Sequence, residues 1–461
     1  MTRFLNSAAL AALLVLTACS AGPRPDVPAI ARVDPPAAWQ TEATKGQIDT
    51  QWWRSFNDPD LTQAVETALT YNSDIHIAVA RVSEARAQLR QASAQNLPTL
   101  NVLTGGAHSR DLNAFGEPVT QDAGRVQLTV AYDTDLFGRL STMTEAARAN
   151  LLATEAARDN VRLAVAATTV TAYINLRASD ARLAVLDETL AARTQALHLA
   201  QRRAAAGYSV NLEVEQAQVE YETAAQLIPA TRQAIRHQED ALSLLLGATP
   251  STIARGSHLA ALTPPDVPAG LPSDLLRQRP DVLQAEYGLV AADQNLDSAR
   301  AAFMPSLQLS FGGGYVGSTL IRNPVDVFSL GGSLLAPIFT GGRLHAQADS
   351  AAARRDQAAF GYQKAVLNGF REVEDALSAI NELAAQETSV VAQRAALARG
   401  LALATERYNA GYSPYLEQLD AQRGLLAADL TLVQVHTDRL SAAVSLFQAL
   451  GGGWVSPSDV R

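Results

Sequence analysis

The sequence predicts a mixed α and β protein that is mainly helical, with long antiparallel coiled-coil hairpins and four strands per chain. Three observations support this fold class: an internal duplication, long stretches without glycine or proline in which leucines recur every seven residues, and short stretches with period-two alternation. Aromatic residues make up only 6% of the 461 residues, which is typical of long helices with shallow packing.

A segment of eight residues occurs twice with nearly the same sequence and indicates the duplication. Residues 206–213 read AGYSVNLE and residues 410–417 read AGYSPYLE, which places Gly207 and Gly411 204 positions apart. The chain is therefore a tandem repeat of a unit of about two hundred residues. We expect the chain to divide into a signal peptide at 1–18, an extended tether at 19–60, a first repeat at 61–247, a proline-rich linker at 248–272, a second repeat at 273–451 and a tail at 452–461.

The N-terminus has the pattern of a bacterial lipoprotein signal. Its apolar stretch is too short to cross a bilayer core of about 30 Å, which needs about 20 residues. LTAC at 16–19 resembles the lipobox, whose cysteine is lipidated and becomes the mature N-terminus, and Ser20 is typical of sorting to the outer membrane. The alternative is an ordinary signal peptide with an incidental cysteine. Because Cys19 is the single cysteine, no disulfide can form within the chain.

Each repeat is expected to open with a helix and continue into two strands. The helices should lie at about 61–96 and 273–303 and end at a proline, which lacks the amide donor. Alternation of apolar and polar side chains then predicts strands of roughly ten residues. The clearer strands are expected at 125–135 and 306–315, the weaker ones near 100–108 and 327–335, and the connecting loops at 111–124 and 317–326. The alternation fits a transmembrane barrel with lipid on one side, and a soluble sheet packed on a core is the alternative.

A long helical hairpin is predicted after the strands of each repeat. No glycine or proline occurs between Gly138 and Gly207, which allows a helix of about 100 Å. Thr142 and Glu145 predict a capping box at its start. Leucines at heptad spacing predict a coiled-coil seam. In the returning helix of the second repeat the seam residues follow a three-four spacing from Leu416: Leu416, Leu419, Arg423, Leu426, Leu430, Val433, Thr437, Leu440, Val444 and Phe447. The repeated glycines would form the tight turns at the hairpin tips, in a left-handed or otherwise unusual conformation.

Charge and motif content exclude several classes of function. The net charge of −9 without a basic cluster argues against a nucleic-acid partner. The seven histidines show no metal-site spacing, and Gly312 to Gly314 lack the lysine of a phosphate loop. Asp133 and Asp135 could suggest paired catalytic carboxylates, but they are expected at a strand end on the water-filled side. We therefore expect no enzymatic activity, no metal and no cofactor apart from a covalent lipid on Cys19.

Several segments, taken in order, resemble the TolC family of outer-membrane channels. The match is closest to the lipoprotein branch, the OprM and NodT-like factors of resistance-nodulation-division (RND) efflux pumps. The resemblance rests on WWRSFNDPDLTQAVETALTYNSDIHIA, LPSDLLRQRPDV, APIFTGGR, RYNAGYSPYLEQLDAQR and ALGGGW. It implies a homotrimer whose hairpins form a periplasmic α-barrel and whose strands form a 12-stranded transmembrane β-barrel. Four strands cannot close a barrel alone, whereas three chains supply twelve; closure on eight strands by two chains is the alternative.

The function implied by the resemblance is an exit channel in the outer membrane. The channel would passively conduct small toxic molecules or drugs from the periplasm to the exterior. Its implied partners are an inner-membrane RND pump, a periplasmic adaptor (membrane fusion protein) and outer-membrane lipid. A type I secretion exit duct for polypeptides would share the fold and is the alternative. A structural envelope spacer would have no use for four amphipathic strands.

The resemblance also implies two groups of site residues. The hairpin tips that would contact the adaptor are Gly207, Tyr208, Ser209, Gly411, Tyr412 and Ser413. The pore gate is implied at Leu416, Asp420 and Arg423, close to the second tip. Arg423 occupies a seam position where an apolar residue is expected. A simple surface pair of Asp420 and Arg423, one helical turn apart, is the alternative.

We predict that the mature chain begins at Cys19 and that this cysteine carries the lipid. Mass spectrometry of the purified protein should give an N-terminal peptide that starts at Cys19 and bears acyl chains. An unmodified cysteine or an uncleaved leader would reject the prediction. Cys19→Ala should impair anchoring to the membrane.

Overall fold

The computed structural model describes residues 24–41, 48–270 and 272–454. The predicted signal peptide, the lipidation residue Cys19 and the last seven residues of the predicted tail lie outside the described residues. The elements in chain order are α1 (Pro59–Tyr71), α2 (Ser73–Ala94), β1 (Thr99–Leu112), β2 (Pro118–Asp133), α3 (Arg139–Ala205), α4 (Asn211–Leu245), α5 (Pro272–Gln278), α6 (Pro280–Ala301), β3 (Ser306–Ser318), β4 (Val325–Leu335), α7 (Arg343–Asn409) and α8 (Tyr415–Ala449).

The long helices confirm the predicted duplication. Helices α3 and α7 each have 67 residues, and α4 and α8 each have 35. Both pairs are offset by the same 204 positions as the repeated glycines. We call α3 with α4 the first hairpin and α7 with α8 the second hairpin. None of the described helices is both long enough and apolar enough to span a membrane.

The opening helix of each repeat is interrupted, which corrects the prediction of one continuous helix. The first break lies at Asn72, whose side-chain oxygen accepts a hydrogen bond from the Asp74 amide at 2.9 Å. The Asn72 amide group donates to the Leu245 carbonyl oxygen at 3.0 Å. In the second repeat a new helix begins at Pro280, which has no amide hydrogen to continue the preceding helix. Pro280 marks the second break in the sequence, whereas no proline or glycine marks the first.

The four predicted strands are present, and they form one antiparallel sheet in the order β1-β2-β3-β4. The strands are longer than expected. For example, β1 pairs with β2 from Thr99 to Leu112. The connecting loops therefore shrink to 113–117 and 319–324. The outer strands β1 and β4 have no second neighbour among the described strands. Large apolar side chains on these edge strands are exposed, including Val102 at 67% and Phe328 at 81%.

The chain divides into two compact units, and each of them draws on both repeats. The described residues of the sheet unit are 24–32, 80–155 and 284–364. It contains the four strands and a buried arginine, Arg355, that donates to the carbonyl oxygens of Pro25 and Asp26 at 2.8 and 2.9 Å. The described residues of the helical unit are 33–41, 48–79, 156–270, 272–283 and 365–454. Its aromatic core includes Trp52 stacked on Phe447, with ring centroids 4.8 Å apart.

The start of α3 corrects the predicted capping box. The helix begins before Thr142, and the carboxylate of Asp135 accepts hydrogen bonds from the Leu140 and Ser141 amides at 2.7 and 2.8 Å. Asp135 adopts a φ of 47°, which aspartate tolerates better than most residues. The Thr142 hydroxyl instead donates backwards to the Gly138 carbonyl oxygen at 2.7 Å. A side chain outside the helical pattern thus provides the cap.

Two glycines end the returning helices in the same crowded position. Gly247 follows α4 and Gly451 follows α8, with φ values of 71° and 84°. A Cβ atom on Gly247 would overlap the Tyr71 carbonyl oxygen, and one on Gly451 would overlap the Gln278 carbonyl oxygen. Each glycine therefore permits close backbone contact with the end of the first helix of its own repeat.

We predict that Gly451→Ala destabilises the protein more than Gly411→Ala. Both glycines have positive φ, so each substitution should cost roughly 1–3 kcal/mol in backbone strain. At Gly411 nothing lies within 4 Å of the added Cβ, whereas at Gly451 the Gln278 carbonyl must move. Thermal unfolding of the detergent-solubilised variants, followed by far-ultraviolet circular dichroism, measures the difference. Equal melting temperatures would show that the close contact at Gly451 is unimportant.

Candidate functional site

The two hairpin tips turn with the same backbone geometry. Gly207 and Gly411 both have a φ of 78°, which confirms the predicted left-handed conformation. The Tyr208 amide donates to the Arg203 carbonyl oxygen at 2.9 Å, and the Tyr412 amide makes the equivalent bond at the same distance. Each glycine amide donates a second hydrogen bond, to the carbonyl oxygen three residues earlier in the chain. This pair of bonds is the Schellman motif, which closes a helix on a glycine.

The tips present exposed aromatic side chains. Tyr208 is 86% exposed and Tyr412 is 81% exposed, and at the first tip Val210 and Leu212 are exposed as well. The hydroxyls of Ser209 and Ser413 are buried and have no hydrogen-bond partner among the described residues. Both tips therefore expose an aromatic side chain that the described residues do not cover. The predicted adaptor contact of these residues stays a prediction.

Behind the tips, side chains of both hairpins form one cluster that the sequence analysis did not predict. The Tyr408 hydroxyl donates to the Glu213 carboxylate at 3.2 Å. The Arg203 guanidinium lies 4.5 Å from the centroid of the Tyr408 ring, and the rings of Tyr408 and Tyr415 are 5.4 Å apart. Burial raises the pKa of both tyrosine hydroxyls, so both remain protonated donors. The apolar core around them consists of Leu197, Ala200, Ala217 and Leu419.

The structure gives Arg423 a partner other than Asp420. Its Nε and Nη2 atoms donate to the Glu220 carboxylate at 2.8 and 2.6 Å. Glu220 lies on α4, so this contact joins the second hairpin to the first. Asp420 is exposed, and no hydrogen bond or ion pair joins it to Arg423 among the described residues. The simple pair along one helix is therefore not the arrangement in the folded chain.

Glu220 is also held by a second arginine, Arg193 of α3. Arg193 Nη2 lies 2.9 Å from the Glu220 carboxylate, and Nη1 donates to the Glu220 backbone carbonyl oxygen at 2.6 Å. Both residues are only 3% exposed, whereas the Arg423 side chain is 53% exposed. Burial lowers the pKa of the Arg193 guanidinium, and the charge of Glu220 partly offsets this effect. The carboxylate thus has one buried and one solvent-facing cation.

Near the tip the predicted seam of α8 is buried at Leu419 but not at Leu416. Leu416 is 52% exposed, and the buried positions are Tyr415, Gln418 and Leu419. The reason is that α8 contacts the first hairpin as well as α7, so its buried face is displaced from a two-helix seam. Farther along α8 the predicted seam residue Leu440 is fully buried. Leu416, Asp420 and Arg423 therefore share an accessible face of the tip region.

Other motif residues have structural roles. Asp58 is 1% exposed and accepts hydrogen bonds from the Leu61 and Ser257 amides at 2.9 and 2.8 Å. Asp133 forms an ion pair with Arg139 at 3.1 Å, close to Asp135, which caps α3. Among the described residues, no group of three histidine, cysteine, aspartate or glutamate side chains is placed to hold a metal ion.

The chain matches one known family over both repeats. The outer membrane efflux protein family matches residues 64–248 and 271–452. Two relatives span nearly the same length. The solvent efflux pump outer membrane protein SrpC of Pseudomonas putida is 35% identical, covering 96% of this chain and 97% of its own. The cation efflux system protein CusC of Escherichia coli K12 is 33% identical, covering 95% of this chain and 97% of its own.

Solved structures show the same fold. The open state of the MtrE outer membrane channel of Neisseria gonorrhoeae superposes with a TM-score of 0.79 at 28% identity. The superposition covers 94% of this chain and 98% of MtrE. The sheet and both hairpins therefore have counterparts in a channel of known structure.

Proposed function

The chain belongs to the outer membrane efflux protein family, and from this premise we propose that it is the outer-membrane exit channel of a tripartite efflux pump. The main support for the proposal is that the chain matches two efflux proteins over nearly their whole length and has the duplicated sheet-and-hairpin fold. In this role the channel conducts small toxic molecules passively from the periplasm to the exterior, and it carries out no chemical reaction. The family consists of channels rather than enzymes.

The working assembly in this proposal is a homotrimer. Each chain supplies one sheet with two unpaired edges, β1 and β4. Unpaired backbone groups are costly in lipid, and pairing the β4 edge of one chain with the β1 edge of the next removes them. Three copies close a barrel of twelve strands. The lipid predicted on Cys19 adds a second attachment to the outer membrane.

The names of the relatives favour small molecules over polypeptides as the exported compounds. SrpC is named for solvents and CusC for cations, so relatives of this chain serve chemically unlike compounds. Such variety is expected where an inner-membrane pump selects the cargo and the exit channel does not. The type I secretion duct, which carries polypeptides, is therefore the less favoured function.

We expect a deletion strain to become more susceptible to several unrelated toxic compounds. The reason is that a passive exit channel limits every compound that the partner pump delivers. Minimum inhibitory concentrations measured over solvents, antibiotics and metal salts, with and without the gene, give the result. Unchanged susceptibility together with loss of a secreted polypeptide would favour the secretion duct.

We propose that the periplasmic end is gated by Leu416, Asp420 and Arg423. These residues share an accessible face close to the second tip, where three copies would meet around the pore. An adaptor that docks on the exposed tips, at Gly207, Tyr208, Ser209, Gly411, Tyr412 and Ser413, would draw the hairpins apart. Contacts of partly exposed charges are individually weak, so a docked adaptor could displace them. The MtrE structure is described as an open state, which supports the existence of two states in such channels.

The double variant Asp420→Ala with Arg423→Ala is expected to raise single-channel conductance in planar lipid bilayers. Removing both charges weakens the closed state, whereas Gln216→Ala, at the first-repeat equivalent of Asp420, should leave conductance unchanged. Equal conductance of the double variant and the wild type would remove the charged residues from the gate.

Light scattering of the same preparation should give the mass of three chains, and a conducting monomer or dimer would contradict the trimer.

A further inference from the structure

A cavity in the helical unit lies where three segments of the chain meet. These segments are the aromatic stretch before α1, residues 159–166 of α3 and the glycine turn after α8. The cavity has a volume of about 340 Å³, and small-molecule sites usually have about 300–1,000 Å³. Its apolar walls include Trp52, Trp53, Leu163 and Trp454. Three of the four tryptophans in the chain therefore surround one space.

Gly452 keeps this space open beside a buried hydrogen-bond donor. It has a φ of 60°, and a Cβ atom on it would overlap a methyl group of Leu163 and lie 3.1 Å from Nε1 of Trp52. The Trp52 residue is only 2% exposed, and no group among the described residues accepts a hydrogen bond from its indole N–H. A buried donor without an acceptor is unfavourable. The acceptor at this wall must therefore be water or an oxygen atom of a ligand.

Arg162 supplies a positive charge at the same cavity. Its side chain is exposed, and no carboxylate of the described part of the chain forms an ion pair with it. Asp159, one helical turn earlier on α3, already has two partners. Its carboxylate lies 2.7 Å from the Arg158 guanidinium and accepts a hydrogen bond from the Trp454 indole at 3.0 Å. Two arginines and one aspartate leave one positive charge uncompensated, so the cavity favours an anion over a cation.

We propose that this cavity binds a small organic carboxylate with an apolar body. The carboxylate pairs with the Arg162 guanidinium and accepts the hydrogen bond of the Trp52 indole. The apolar body lies against the tryptophan rings and Leu163. This site differs from the hairpin tips and from the proposed gate, because none of their residues lines the cavity.

A bound carboxylate is expected to stabilise the packing of both ends of the chain against α3. It contacts Trp52 before α1, Arg162 on α3 and the turn that ends at Trp454. A ligand that binds the folded protein and not the unfolded chain raises the free energy of unfolding in proportion to the logarithm of its concentration. The melting temperature should therefore rise with the concentration of the ligand.

Tryptophan fluorescence of the trimer in lipid nanodiscs tests the site. The probe is 4-bromobenzoate, whose bromine quenches an indole that it contacts. The controls are 4-bromobenzyl alcohol, which is neutral, and 4-bromobenzylamine, which is a cation, because both keep the ring and the bromine. We expect saturable quenching and a higher melting temperature with the carboxylate alone.

Substitutions of Arg162 test the charge without changing a tryptophan. Arg162→Gln should raise the half-saturating concentration of 4-bromobenzoate roughly tenfold, and Arg162→Lys should restore most of the affinity. Arg182→Gln is the matched control, since Arg182 is an exposed arginine of α3 that does not line this cavity. Trp52→Phe keeps an aromatic ring and removes the N–H, so calorimetry should show weaker binding of the same probe.

Three results would overturn the inference. Equal quenching by the carboxylate, the alcohol and the amine would show an apolar space without a carboxylate site. An unchanged half-saturating concentration in Arg162→Gln would exclude this arginine as the partner. Quenching that appears only in a variant ending at Trp454 would show that the chain's own C-terminal residues occupy the cavity. Conductance and drug susceptibility are not measured in these tests, so their outcome is independent of the proposed exit channel and its gate.

Discussion

A hairpin of two helices cannot bury all of its apolar surface, and this constraint governs the helical unit. Each seam covers one stripe of each helix, and the remaining apolar side chains need another surface. The cluster near the tips satisfies this need by combining Leu197 and Ala217 of the first hairpin with Tyr408 and Leu419 of the second. The duplication is therefore a physical requirement as well as a genetic event, because each copy supplies the surface that the other lacks.

Shallow packing also explains why so many charged groups lie close to the core. Thin layers of helices leave buried backbone groups and connecting segments that apolar side chains cannot satisfy. Arg279, which is 6% exposed, bonds the Asp281 carboxylate and the Ala449 carbonyl oxygen. His436 similarly contacts the Glu387 carboxylate and the Leu262 carbonyl oxygen. Such residues connect the inter-repeat segment and the C-terminal end of α8 to the helices.

The sequence could predict whatever depends on local periodicity. Heptads, period-two alternation and the repeated glycines located the hairpins, the strands and the tips. It could not locate the cap of α3, because Asp135 lies several residues before the amides it accepts from and has a positive φ that the sequence does not show. Nor could it pair Arg423 with Glu220, since the two residues lie 203 positions apart and neither helix alone shows that its neighbour carries the opposite charge. The exposure of Leu416 was missed for the same reason, because a two-helix seam does not account for a third packing surface.

The equal lengths of corresponding long helices restrict how this protein can evolve or be engineered. One residue inserted in α3 or α7 would shift everything beyond it by 1.5 Å along the axis and rotate it by about 100°. The two tips would then lose their common level, and Tyr408 would turn away from Glu213. Insertions and deletions are therefore compatible with the loops at 113–117 and 319–324, where no helical phase has to be kept. Epitope tags and length variation among natural homologues belong at those loops, and the long helices should vary by substitution alone.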